Sequence, residues 1–168
     1  QIAQHNGGRL LVAFRQAPFP PSNGLSTSSV AMHNHGDTES RAVIVSSVDK
    51  GLSWNPDTLQ VLADPPESIE QVSVSAITGD VLVSPYSERR ELQQGDSVKV
   101  RRSCDGGVVW NQPTMMDTSP LKGARTHAPM LELPDWILLS PHCGLMLDRF
   151  GRSRHVVTVV RSRDTGHA

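Results

Sequence analysis

Chemically active side chains gather in one stretch of this chain, residues 15–40, RQAPFPPSNGLSTSSVAMHNHGDTES. It holds Arg15, His33, His35, Asp37 and Glu39. A guanidinium presents a planar fork of donors to an anion, and a carboxylic acid tuned toward neutral pH can move a proton. His33 and His35 alternate, so an extended backbone puts both imidazoles on one side, with Asp37 two residues on. No further strong ligand is placed nearby, so neither a metal nor a cofactor is expected. Smaller sets lie elsewhere: Glu67 and Glu70, Arg125 and His127, and Tyr86 with Arg89. For each of these the bland alternative is a solvated loop side chain.

The elements that must position these residues follow from an eight-residue pattern. It runs Ser47-Val-Asp49-Lys-Gly51-Leu-Ser-Trp54, returns as Ser103-Cys-Asp105-Gly-Gly107-Val-Val-Trp110, and begins again as Ser162-Arg-Asp164-Thr-Gly166. Repeats at such a period mean arrayed supersecondary units. A β-branched run leads into each copy: residues 41–46, 97–102 and 155–161. Ser-x-Asp-x-Gly is turn chemistry, because the short side chains accept backbone N–H groups and Gly adopts a positive φ freely. Trp54 and Trp110 are expected to start the return strand and to cover the hairpin.

Further strand-like runs precede these, at residues 8–14, 79–85 and 135–141, and before two of them at 71–77 and 129–133. The unit is therefore four strands, A to D, with the Ser-x-Asp-x-Gly turn joining C to D. No sustained apolar pattern at helical spacing occurs. In an antiparallel unit the A–B and C–D turns share one end. The B–C loops and the D-to-A connectors share the other, where a site is expected. The B–C loop of the first unit is long: 39 residues separate Gly8 from Ser47, against 24 from Gly79 to Ser103 and 27 from Asp135 to Ser162. A long loop in a compact repeat is more often functional than idle.

The turns resemble the Asp-box, or BNR, repeat of the sialidase superfamily of β-propellers. The matching residues are Ser47, Asp49, Gly51 and Trp54, then Ser103, Asp105, Gly107 and Trp110, then Ser162, Asp164 and Gly166. The resemblance implies an all-β chain of about three four-stranded antiparallel blades from a six-bladed propeller. Their expected bounds are 1–58, with the B–C loop at 15–40, then 59–113 and 114–168. It also implies that blades are missing on both sides, since 168 residues are too few for six.

The implied activity of the whole protein is removal of terminal sialic acid from glycoconjugates. Asp37 would be the acid/base that protonates the leaving glycosidic oxygen. Arg15 would engage the sugar carboxylate, and Glu67, Glu70, Arg125 and His127 would touch substrate. The family's Tyr nucleophile, its Glu and two arginines come from later blades, and its Arg-Ile-Pro motif is absent here. This stretch alone is therefore expected to be catalytically incomplete. The turn aspartates are expected to be structural. The competing reading is a non-catalytic propeller that binds a glycan or a protein.

Sixteen Lys and Arg against seventeen Asp and Glu give a net charge of −1, which lacks the basic excess of a nucleic-acid binder. The short clusters Arg89-Arg90, Arg101-Arg102 and Arg152 to Arg154 read as solvated strand ends. No apolar run approaches a membrane span. Cys104 and Cys143 lack metal-site spacing and are expected to be free thiols. Location is left open, with a secreted or cell-surface protein compatible with the resemblance.

Overall fold

The structure, a computed structural model, describes residues 1–16, 41–64, 67–87, 97–126, 128–135 and 137–162. Its strands form three antiparallel sheets in chain order. The first is β1 (Ile2–Gln4), β2 (Leu10–Gln16), β3 (Arg41–Ser47) and β4 (Gln60–Ala63). The second is β5 (Glu67–Val74), β6 (Val81–Ser87), β7 (Ser97–Ser103) and β8 (Thr114–Met115). In the third, β9 (Lys122–Arg125) and β10 (Leu131–Glu132) both pair with β11 (Leu138–Leu147), which pairs in turn with β12 (Ser153–Ser162). Among the described residues there is no α-helix, and no helix is long and apolar enough to cross a membrane.

The sheets stack through their alternating apolar faces. Leu11, Ala13, Ala42, Ile44 and Leu62 of the first meet Ile69, Val72, Val81 and Val83 of the second in one buried cluster. Each Leu, Ile or Val side chain there contributes about 1.5–3 kcal/mol on burial. The second and third sheets share a smaller cluster, Leu82, Val100 and Leu138. β3, rich in β-branched residues, is buried on both faces from Ala42 to Ser47.

Several element bounds differ from the sequence expectation. The return strands begin at Gln60 and Thr114, not at Trp54 and Trp110. Pro56 and Pro113 follow the tryptophans and cannot donate to a ladder. After Trp54 the chain instead makes a 3-10 turn, Pro56–Thr58, capped by Asn55, whose side chain accepts the Asp57 N–H at 2.9 Å. The first two sheets consequently run past residues 58 and 113, to Ala63 and Met115. Strand β5 begins at Glu67, four residues before the expected strand. A bulge between Ile69 and Val72 breaks its alternation and hides it from a period-two pattern. Strand β9 was not expected at all, being four residues without a β-branched side chain.

The tryptophans do cover their turns. A Cβ on Gly51 would lie 3.8 Å from the Trp54 ring, and one on Gly107 would lie 3.7 Å from the Trp110 ring. Both glycines hold positive φ, 86° and 93°. Arg102 is not solvated, and Arg101 is half-buried. Arg102 is buried and pairs with Asp80 at 2.8 Å, and Arg101 donates to the carbonyls of Asn111 and Leu62. Both cysteines are free.

Candidate functional site

The two ends of the stack differ in chemistry. At the turn end, Ser47 Oγ donates to Asp49 Oδ1 (2.7 Å) and accepts the Gly51 N–H (2.9 Å). Asp49 also accepts from the Ser53 N–H (2.9 Å) and hydroxyl (2.6 Å). The Ser53 hydroxyl, then its N–H and the Ser47 hydroxyl, hold the Asp49 carboxyl down at about 2. The second turn repeats the scheme, with Ser103 Oγ donating to Asp105 Oδ1 (2.7 Å) and accepting the Gly107 N–H (2.8 Å). Asp105 takes the N–H groups of Val109 and Val108, which lower its pKa together with Ser103. Val109 keeps the backbone bond but has no hydroxyl to add. Each carboxylate is spent on its own turn and stays ionised, so neither is a proton donor near neutral pH.

Contacts between sheets also collect at this end. Arg9 donates to Gly106 O (3.1 Å) and Trp110 Nε1 donates to Gln60 Oε1 (3.0 Å). Glu132 accepts from Ser75 Oγ (2.7 Å) and the Ile77 N–H (2.9 Å). The A–B and C–D turns therefore share one end, as strand parity requires.

The loop end is best measured from a common rung. Leu10, Val81 and Leu138 pair with the turn serines Ser47, Ser103 and Ser162. Five residues on from that rung stand Arg15, Tyr86 and Cys143, and Arg125 is the register partner of Cys143. Arg15 and Arg125 are thus at the same height, on the first and third sheets. Glu67, opposite Ser87, is one rung higher on the second sheet, while Glu70 lies lower, inside the β5 bulge. For these two glutamates the backbone placement alone is described.

Arg15 shares the face of Leu11 and Ala13, toward the second sheet. Arg125 shares the side of Cys143, away from the second sheet, so the two arginines do not share a seam. Arg15 lies within β2 and Arg125 within β9, and Glu67 and Glu70 lie within β5, so all four sit in strands rather than in the expected loops and connectors. Asp37, His127, Asp164 and Gly166 lie outside the described residues, as do His33, His35, Glu39 and Arg89.

Two features of possible ligand chemistry escaped sequence reasoning. The β11–β12 hairpin pairs as far as Leu147 with Ser153, three rungs beyond the last described pairs of the other sheets. Its tip carries Phe150, 66% exposed, with the guanidinium carbons of Arg149 and Arg152 at 4.8 and 5.2 Å from the ring centre. Asp148 caps the tip, accepting the N–H groups of Phe150 (2.8 Å) and Arg152 (3.0 Å). The signal was an aromatic between two arginines in a glycine-containing turn. The second feature is the buried polar network of Gln71. Its amide nitrogen donates to Thr126 Oγ1 and Ala128 O, and its oxygen accepts from the Met130 N–H and Ser73 Oγ.

Three stacked four-stranded antiparallel sheets, the first two wound in strand order and the third with β9 and β10 both beside β11, define a β-propeller-type fold. The solved structures similar to this chain agree. A protein of unknown function from Dyadobacter fermentans superposes with a TM-score of 0.69 at 22% identity, over 98% of this chain and 50% of that one. The Penicillium chrysogenum α-L-arabinanase, complexed with arabinobiose, gives a TM-score of 0.62 at 16% identity, over 94% of this chain and 42% of that one. The chain therefore spans about half the length of the solved structures it matches. No protein-family model and no curated protein matches it.

Proposed function

We propose that this chain contributes three blades to a six-bladed glycan-processing propeller, a glycoside hydrolase of the sialidase kind. The observation that carries the reading is the placement of Arg15. It stands at the loop end of β2, faces the seam with the second sheet, and leads directly into the long loop that contains Asp37. The likeness to an arabinan-cleaving propeller supports a glycan as substrate. In this reading Arg15 holds a sugar carboxylate through paired charge-assisted bonds. Asp37 protonates the leaving oxygen and later activates water. Glu67, one rung above Arg15 on the adjoining sheet, and His127 touch the sugar, whereas Arg125, turned from that seam, and Glu70, lower in the β5 bulge, lie away from it. The remaining groups come from blades outside this chain.

The test is turnover of fluorogenic sialoside and arabinoside by the full natural protein that carries this chain, beside Asp37→Asn. Sialoside turnover that falls a hundredfold or more in the variant, with an unchanged melting temperature, is the expected result. Turnover of arabinoside alone would keep a glycosidase but remove the sialic acid. The second reading, a non-catalytic glycan-binding propeller, draws on the exposed Phe150 between Arg149 and Arg152. It is favoured if neither substrate turns over and Phe150→Ala weakens glycan binding.

A further inference from the structure

Counted from the common rung, the two seams correspond position by position. In the first seam Leu11 and Ala13 face Val81, Val83 and Pro85. In the second seam Leu82 and Ser84 face Leu138, Ser140 and His142. Ser84 thus stands where the first seam has Ala13, Ser140 where it has Val83, and His142 where it has Pro85. All three polar residues are buried, at 0%, 3% and 1% exposure. Among the described residues, Ser84 Oγ, Ser140 Oγ and both ring nitrogens of His142 find no hydrogen-bond partner.

Their rungs run from two to four, with Ser84 between Ser140 and His142, a span of roughly 7 Å at the usual rise per strand residue. Serine in place of valine shortens the side chain at this level, while Gly144, two residues beyond His142 on the same face, is packed closely against Leu121, Lys122 and Ala124 and closes that end of the seam. Buried polar atoms are nearly always satisfied, and ordered water serves those that the protein leaves over.

We propose that the seam between the second and third sheets is a hydrated internal site, in which bound water bridges Ser84, Ser140 and His142. The neutral imidazole offers one donor and one acceptor, and each hydroxyl offers a donor and two lone pairs, a set suited to bridging solvent. Burial lowers the pKa of His142, which keeps the ring neutral in that role. At the same rungs the first seam is apolar and has no counterpart to these groups.

The experiment uses the full natural protein that carries this chain. Water-oxygen magnetic relaxation dispersion is compared between wild type and Ser84→Ala/Ser140→Ala, with circular dichroism confirming the fold. Loss of at least one long-lived water in the variant is expected. An equal dispersion amplitude in the two folded proteins would overturn the proposal. Should the double variant not fold, a crystal structure of the wild type decides. Water density within about 3.2 Å of a His142 ring nitrogen and a serine hydroxyl supports it, and a dry seam overturns it. His142→Leu gives an independent readout. A hydrated seam makes this variant melt lower, while a dry one makes it melt higher, because an unpaired polar group has been removed.

Discussion

Trp110 on the second sheet donates its indole N–H to Gln60 Oε1 on β4 of the first, across 3.0 Å. The ring lies over Gly107 of its own turn and packs at the edge of the first seam. One side chain therefore closes a hairpin and fastens two sheets. Trp110→Phe keeps an aromatic lid but loses the bond. It should cost about 0.5–1.5 kcal/mol in denaturant melts, and Gln60→Ala should add little to it. Fully additive losses would show that the indole and the amide are not coupled.

The ion pair of Asp80 with Arg102 joins the A–B turn of the second sheet to the strand beneath Ser103. Its side chains are only 11% and 6% exposed. Asp80→Ala leaves a buried guanidinium without its carboxylate and should destabilise by about 3–5 kcal/mol. Replacing Asp80 and Arg102 together by apolar residues of similar size should recover most of that loss. A neutral effect of Asp80→Ala on the melting temperature would remove the pair from the stability account.

Acid should weaken the first turn in a defined window. The Asp49 carboxyl is held below its ordinary 3.8, at about 2. As pH falls, the unfolded chain takes up this proton before the folded one does. The stabilisation is complete above 3.8 and is lost as pH falls through about 2. Ser53→Ala removes the largest contributor, so carboxyl NMR should find Asp49 titrating at higher pH in that variant. An unchanged titration would take the Ser53 hydroxyl out of the explanation.

Arg15→Gln tests the anionic character of the substrate. In the full natural protein it should lower kcat/KM for a sialoside at least tenfold, about 1.4 kcal/mol, and leave a neutral arabinoside nearly untouched. Equal losses on both substrates would assign Arg15 to holding the loop rather than the sugar.

The turns were the most legible part of this sequence. Ser47, Asp49 and Ser53 satisfy one another within seven residues, so local spacing carries their whole geometry. Strand order and the shared ends of the turns followed from antiparallel parity. Strand bounds were less legible where the alternation is interrupted, by the bulge after Ile69 and by Pro56 and Pro113 after the tryptophans. The Arg102 pair was invisible because Asp80 lies 22 residues earlier, and a charged run looks solvated until its partner is in place. Likewise, the height shared by Arg15 and Arg125 is a property of register across sheets. Asp37, central to the proposed chemistry, falls in the stretch outside the described residues.

The contrast between the two seams has a kinetic consequence. Each sheet is built from strands near one another in the chain, so its pairing depends on contacts less distant in sequence than those between sheets. Docking is different, because it depends on how much greasy surface two finished sheets can hide from each other. Among the described residues, the first pair hides a nine-residue cluster and the second pair a three-residue one. The first two sheets are therefore expected to make the more cooperative unit, with the third docking onto it. Along a nascent chain that order matches the order of synthesis, so the strongest interface becomes available before the weaker one has to form.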